Sequence, residues 1–410
     1  MRPKQHITAA IEKQSEQAKN NYQIHLTATI DCIRFLLRQG LTFCGNDETD
    51  DSVNQGNFLE LLNFLAQHNE EIDRAFKNAR ENLKLIAPSI QKDIVRAAAR
   101  KTTKVIVDDL GDELFAVLVD EACDISIKEQ MSVCLRYVNK EGQVREHFFG
   151  LVHVSNTNAL SLKLALESLL ETYNLSLSRV RGQGYDGAIS LFCDKHDIIV
   201  PIMDDIFVSQ GRSRRKAQKI SNLHHFQVEI FYQVVDRQLQ ELNNRFTEVN
   251  TELLLCIACL NPRHSFFAFD KEKLIQLAQF YPLEFSSTQL LALDSQLENF
   301  ILDVHSDDHF SDLNGIGALS QKLVETRKNI VYPLVFLLLK LALVLPVATA
   351  SVERTFSAMN VIKSRLRNRM GDEFLNDCLV TYIERETFDC IDNEKIIQSF
   401  QNMKLRRMEF

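Results

Sequence analysis

The sequence predicts an α/β protein that is mostly helical, with one small mixed sheet interrupted by a large helical block. Three observations predict it. The apolar period changes at Leu114 from helical spacing to short strand-length runs, a hairpin loop follows at Asn139 to Gly142, and beyond Ser190 the pattern is helical almost to the end. At 410 residues, 45% hydrophobic, with only 13 Gly and 7 Pro, the chain is not collagen-like, low-complexity or disordered, and its length allows two or three domains. A net charge of -8 gives no global attraction for a polyanion, so any nucleic-acid contact must use a local patch.

Met1 to Asn46 reads as helix, with Ile30, Ile33, Leu36 and Leu37 at helical spacing and Gly40 as the C-cap. The acidic, turn-rich Gly45 to Gln55 interrupts it. Phe58 to His68 then resumes an amphipathic helix, and another runs from Ile90 to Asp109. Residues 1–110 are therefore a helical lead-in that must pack on something later in the chain.

The next segment, 111–190, supplies the sheet. LFAVLVD is an apolar run ending in Asp120, and MSVCLRYV and VREHFFGLVHV flank the turn NKEG, so those two runs should pair antiparallel. Ala159 to Tyr173 is an amphipathic helix, and Ser178 to Tyr185 is a weaker fourth strand running into Asp186. In this β-β-β-α-β order the fourth strand lies parallel beside the first.

A helical insertion, 191–328, follows, with helix periodicity over Phe226 to Leu260, Lys271 to Phe280, Ser287 to Val304 and Gly315 to Thr326. Residues 329–410 carry helices over Pro333 to Leu345, Ala350 to Ile362 and Asp372 to Glu384, with the basic turn SRLRNR between the last two. Ile330 to Ala350 is apolar enough to suggest a membrane span, but Lys340 at its centre and Pro333 and Pro346 near its ends make it a buried core helix. The N-terminus lacks the apolar stretch of a signal peptide, and the nine scattered cysteines read as reduced thiols of an intracellular protein.

Two-metal phosphodiester chemistry needs carboxylates converging from separate chain segments, and strand ends are where they converge. Asp120 closes the first strand and Asp186 follows the fourth, so the two can face one cleft. Asp after a buried strand is also ordinary turn chemistry. Glu121 and Asp124 are acids at the same strand end. Glu353, early on the Ala350 to Ile362 helix, is a third candidate, placed where the helix dipole favours a carboxylate.

Ser351, Glu353, Arg354, Phe356 and Ser357, followed by Arg365, Leu366, Asn368 and Arg369, resemble the C-terminal signature of hAT superfamily transposases. VDEACDISIKEQMSVCLRYV and GQGYDGA resemble the zinc finger MYM-type protein 1-like branch of that superfamily. The resemblance runs from Thr27 to Arg407. It implies an RNase H-like fold interrupted by a helical insertion, a transposase ancestry, a C-terminal dimerisation region and a nuclear location. By motif position it makes Asp120, Asp186 and Glu353 the acidic triad that would hold Mg.

The sequence also departs from the family. An N-terminal zinc finger for DNA recognition is usual there, and this sequence begins after the place it would occupy. Cys193 and His196 have Cys-x-x-His spacing, but seven residues after Asp186 leave no room for the helix and fifth strand that should intervene. That pairing is read as coincidental, and the sheet as missing its fifth strand. The chain has no Trp, which the family's insertion commonly uses near its DNA.

Other candidates are less specific. GRSRRKAQK at 211–219 could touch phosphate, serve as a nuclear address or be a solvated loop. Lys363, Arg365, Arg367 and Arg369 form a second basic cluster suited to nucleic acid near the acidic site. Cys256 and Cys259 are a lone CxxC among apolar residues and read as buried thiols, so no zinc is expected. Val335, Leu338, Leu339, Leu341, Ala342 and Leu345 make a helix apolar nearly all round, whose burial is expected partly from the sheet and partly from a partner subunit. The reading is a hAT-derived protein acting mainly by forming homodimers or heterodimers with related hAT proteins, without transposition activity, with DNA binding weak and no membrane partner. The alternative is a Mg-dependent DNA transposase using the Asp-Asp-Glu triad.

Overall fold

The computed structural model describes residues 3–45, 47–49, 51–78, 85–126, 128–154, 159–185, 248–346, 350–364 and 367–403. The chain divides into two compact units, Met1–Asp186 with Leu343–Phe410, and Gly187–Ala342.

The first unit holds a sheet of β1 (Phe115–Cys123), β2 (Glu129–Val138), β3 (Val144–His153) and β4 (Val180–Tyr185), in the order β3-β2-β1-β4. β1 pairs antiparallel with β2 and β2 with β3, while β4 runs parallel to β1, as the RNase H-like resemblance implies. Asn139 closes the β2–β3 hairpin: its side chain accepts from the Gln143 amide at 2.9 Å, and Gly142 takes φ 75° at the turn.

Four helices precede the sheet: α1 (Pro3–Arg38), α2 (Asn57–His68), α3 (Glu70–Asn78) and α4 (Pro88–Leu110). Gly40 ends α1 as the sequence predicts, at φ 64°, with the Gly40 amide donating to Leu37 O and the Leu41 amide to Leu36 O. Those two bonds satisfy carbonyls the helix end would leave free. α3 carries too few apolar residues to be read from periodicity, yet Ala75 is buried and Phe76 stacks edge-on against His25, ring centroids 4.0 Å apart. The parallel pair needs a crossover, supplied by α5 (Ala159–Thr172).

The second unit is helical among the described residues. It holds α6 (Glu248–Ala258), α7 (Lys271–Gln279), α8 (Ser287–His305), α9 (Ile316–Glu325), the four-residue α10 (Lys328–Val331) and α11 (Pro333–Val344), whose last residues pass out of the unit. α8 opens on a capping box, in which Ser286 and Gln289 each accept the other's amide. α11 is buried within the chain at Val335, Leu338, Leu339 and Leu341, while Leu334, Phe336 and Leu337 are half-buried. Val335 and Leu339 pack among Leu260, Phe266, Phe300, Leu319 and Leu323 of the same chain. Cys256 and Cys259 are buried free thiols, and burial pushes the pKa of both up. Among the described residues no helix is long and apolar enough to cross a membrane.

The chain returns to the first unit with α12 (Ala350–Ile362), α13 (Asp372–Ile383), α14 (Arg385–Asp389) and α15 (Asn393–Asn402). Strand alternation sends Leu118, Cys134 and Phe148 to one face, where they join a core with Leu26, Ile30 and Ile33 of α1, Ile94 and Val95 of α4, Val352 and Met359 of α12 and Leu379 of α13. The lead-in therefore packs on the C-terminal helices. Arg34 of α1 donates to Ile391 O at 2.5 Å and lies 4.7 Å over the Phe388 ring. Phe115, Val117, Val119, Val133 and Leu135 face the other way, against Leu166, Leu169 and Leu170 of α5.

The β3 edge is capped rather than left open. Glu384, after α13, accepts from the Phe148 amide at 2.6 Å and pairs with His147 at 2.7 Å, and Asn376 accepts from the Leu151 amide at 2.8 Å. Side chains thus take the hydrogen bonds another strand would offer.

Candidate functional site

Asp120 sits on β1 directly opposite Ser132 of β2. By alternation it shares the face of Leu118, the face α12 covers. Its Oδ1 accepts from the Glu121 amide at 2.8 Å. Ser132 is fully buried, and its Oγ has no hydrogen-bond partner. Glu121 points to the opposite face, and its carboxyl pKa is raised by burial first, then by the neighbouring Asp120 and Glu129 carboxylates.

Parallel pairing brings β4 alongside β1, with Tyr185 opposite Val119 as the last pair. Asp186 comes next in sequence and lies outside the described residues, as do Cys193, His196, the 211–219 basic run and Arg365. β4 approaches closely because Gly182 and Gly184 have no side chains. A Cβ at Gly182 would come within 2.9 Å of the Pro346 ring and 3.1 Å of Ala116 Cβ. Pro346, just past α11, therefore lies over β4 on the Asp120 face, and the chain enters α12 four residues later.

Two anchors fix α12 along β1. At its start Ser351 Oγ donates to Glu146 of β3, which also pairs with Arg136 of β2, and Arg136 Nε donates to Leu343 O at 2.9 Å. Arg136 faces Ala116 across the β1–β2 pair, so this anchor lies at the beginning of β1. Just beyond the other end of α12, Lys363 Nζ meets Asp124 Oδ2 at 2.5 Å, immediately after β1. Asp120 lies on the strand between the two anchors. Glu353 is exposed on the first turn of α12, while Val352 and Thr355 beside it are buried.

The structure corrects two readings at this site. Asp124 is not an available acid, because it is buried and its carboxylate accepts from the Ser126 amide at 2.7 Å, the Lys128 amide at 3.1 Å and Gln130 Nε2 at 3.2 Å, besides Lys363. Burial pushes its pKa up, but Lys363 and the two amides outweigh burial and leave it lowered. Lys363 is 1% exposed and cannot join a nucleic-acid surface, since all its charge is spent on Asp124. Arg367 is half-buried, donates to Gly40 O at 3.2 Å, and has its pKa lowered by burial. Arg369 is exposed.

Glu146 and Arg136 were not among the sequence candidates. The one available signal was a charged pair on runs otherwise rich in strand-forming residues, which reads equally well as a solvated face.

Residues 1–193 match the ZMYM1/FAM200 RNase-like domain, and residues 321–387 match the hAT family C-terminal dimerisation region. The first match spans the lead-in and all four strands. The second spans α10 to α13 and carries Glu353, Lys363 and the capping Glu384. With both segments in this order around a small mixed sheet in a mostly helical fold, the chain is a hAT-derived, ZMYM1/FAM200-like protein.

Proposed function

We propose that this protein acts by pairing with another hAT-derived chain, a copy of itself or a related protein, in the nucleus and without transposition activity. The match of residues 321–387 to a dimerisation region carries the reading. Inactivity is supported by the sequence after Asp186, where only six residues precede Cys193, too few for a helix and a strand. Weak DNA contact is supported by Lys363 and Arg367, two of the four basic residues near the acids, which are engaged inside the protein.

A second reading, a Mg-dependent DNA transposase, is favoured by one observation. Ser132 Oγ is buried without a partner directly across from Asp120, so the strand pair holds an unused polar atom beside a hard oxygen donor. Asp120 and Glu353 are carboxylates of the kind Mg takes, with Asp186 the third ligand of this reading. Bound there, Mg would activate the attacking oxygen and stabilise the leaving one.

Light scattering on the eluting full chain and a nicking assay on terminal-repeat DNA with and without Mg separate the two. A dimer with no Mg-dependent nicking is expected. Nicking that disappears in Asp120→Asn and Glu353→Gln would establish the enzyme instead. A fluorescently tagged chain kept out of the nucleus would refute the location.

A further inference from the structure

The exposed apolar side chains of the second unit include a group held in a fixed position. Ile330 and Val331 end the four-residue α10 and are 71% and 63% exposed. Leu302 of α8 is 70% exposed and lines the same open groove as Val331, of about 600 Å³, together with Gln296, Asn299, Asp303 and Tyr332. Leu291, 73% exposed, lies eleven residues before Leu302, three helical turns away on the same stripe, and extends the apolar strip about 16 Å along α8.

These residues are not free to fold inward. Lys328, at the start of α10, pairs with Asp303 at 2.7 Å and Asp307 at 3.3 Å. At the other end Tyr332 OH donates to Asp303 at 3.1 Å, and its ring packs against Phe300 with centroids 5.5 Å apart. α10 is thus pinned to α8 at both ends, with its apolar pair pointing outward. Clustered large apolar side chains fixed in water mark an interaction site, whereas scattered ones do not.

We propose that this ridge of Ile330 and Val331, with Leu302 and the groove beside it, is the surface that a second copy of this chain covers. The inference rests on the dimerisation reading and names the surface that performs it. Two observations choose a second copy as the occupant. Ile330 and Val331 fall within the segment matched to the dimerisation region. The patch also carries both a ridge and an adjoining groove, so two copies related by a two-fold axis can each seat a ridge in the other's groove. Asp303, the carboxylate lining the groove, is already paired with Lys328, so the two copies would not bring bare like charges together.

The test is sedimentation equilibrium on the full chain, on an Ile330→Asp/Val331→Asp double variant, on Leu302→Asp, and on Val361→Asp as a control. Val361 is 54% exposed, also within the matched segment, but lies in the first unit. All four positions are exposed, and far-UV circular dichroism confirms that each variant folds. The wild type should dimerise, the double variant and Leu302→Asp should weaken the dimer roughly 30-fold or more, and Val361→Asp should leave it unchanged. A dimer whose Kd does not move in the double variant or in Leu302→Asp overturns this surface and leaves the dimerisation reading standing. A wild type that stays monomeric overturns this surface and the self-pairing form of the dimerisation reading.

Discussion

Replacing Lys363 by Met keeps an unbranched apolar stem of similar length and removes only the ammonium group. The loss strands Asp124, whose side chain is fully buried and whose carboxylate lies 2.5 Å from Lys363 Nζ. Removing one partner of a buried pair costs about 3–5 kcal/mol. Asp124 keeps the Ser126 and Lys128 amides and Gln130 Nε2, so the loss should fall near the lower end, about 3 kcal/mol. The Asp124→Asn/Lys363→Met double variant carries no stranded charge and should recover about 1–3 kcal/mol of it as coupling.

The chain has no Trp, so unfolding in urea is followed by far-UV circular dichroism. Hydrogen exchange at the Leu118 and Cys134 amides assigns the transition to the first unit, because a two-unit chain does not have to unfold in one step. The pH profile provides an independent check. Asp124 has a folded pKa below its ordinary value of 3.8, so its contribution is complete above that unfolded value and is lost as pH falls through the lower, folded one. Without Lys363 the largest influence holding the carboxyl down is lost, so the folded pKa rises and the acid-side loss of stability seen in the wild type should shrink in the variant. A loss under about 1 kcal/mol, against the 3–5 typical of broken buried pairs, or an unchanged acid profile would refute the reasoning.

Two further substitutions test the sheet's surroundings. Gly182→Ala should cost about 1–3 kcal/mol, and somewhat more than Gly184→Ala, because a Cβ at 182 meets the Pro346 ring at 2.9 Å and Ala116 Cβ at 3.1 Å, while one at 184 meets the movable end of Leu118 at 2.9 Å and the Pro346 ring only at 3.1 Å; urea midpoints at equal slope give the comparison. Asp377 on α13 has its pKa pushed up to about 6 by burial, against the pull of Arg96 and Arg100. With the folded value above the unfolded one, its contribution is complete below the unfolded pKa and falls by about 3 kcal/mol as pH rises to about 6. Asp377→Asn should flatten that segment of the stability profile, and a profile identical to the wild type's would show that the carboxyl does not titrate there.

The first three strands were legible because each is a short apolar run ended by turn residues, whereas β4, VRGQGY, is weaker and its place parallel to β1 follows from the RNase H-like sheet the resemblance implies. Gly40 could be identified as a helix stop because only a residue tolerant of positive φ completes that cap. α15 escaped notice because NEKIIQSFQN offers only Ile396, Ile397 and Phe400 as apolar residues, too few to stand out until they are seen packed inside the core. The basic run around Lys363 misled because charge density says nothing about which cation turns inward. Its partner is 239 residues away in sequence, beyond any local pattern.

Periodicity and turn chemistry act between residues a few positions apart, so the sequence alone determined where most of the helices and the first three strands lie, the antiparallel hairpin, and the kinship carried by Ser351, Glu353, Arg354 and Phe356. Only the tertiary structure decided that Asp124 is held by Lys363, that Glu146 ties the start of α12 to the sheet, that Val335 and Leu339 of α11 are buried within their own chain, and that Ile330 and Val331 remain in water. Those outcomes depend on which surfaces meet across the folded chain, where burial decides whether a charge is paired or solvated and whether an apolar side chain is covered.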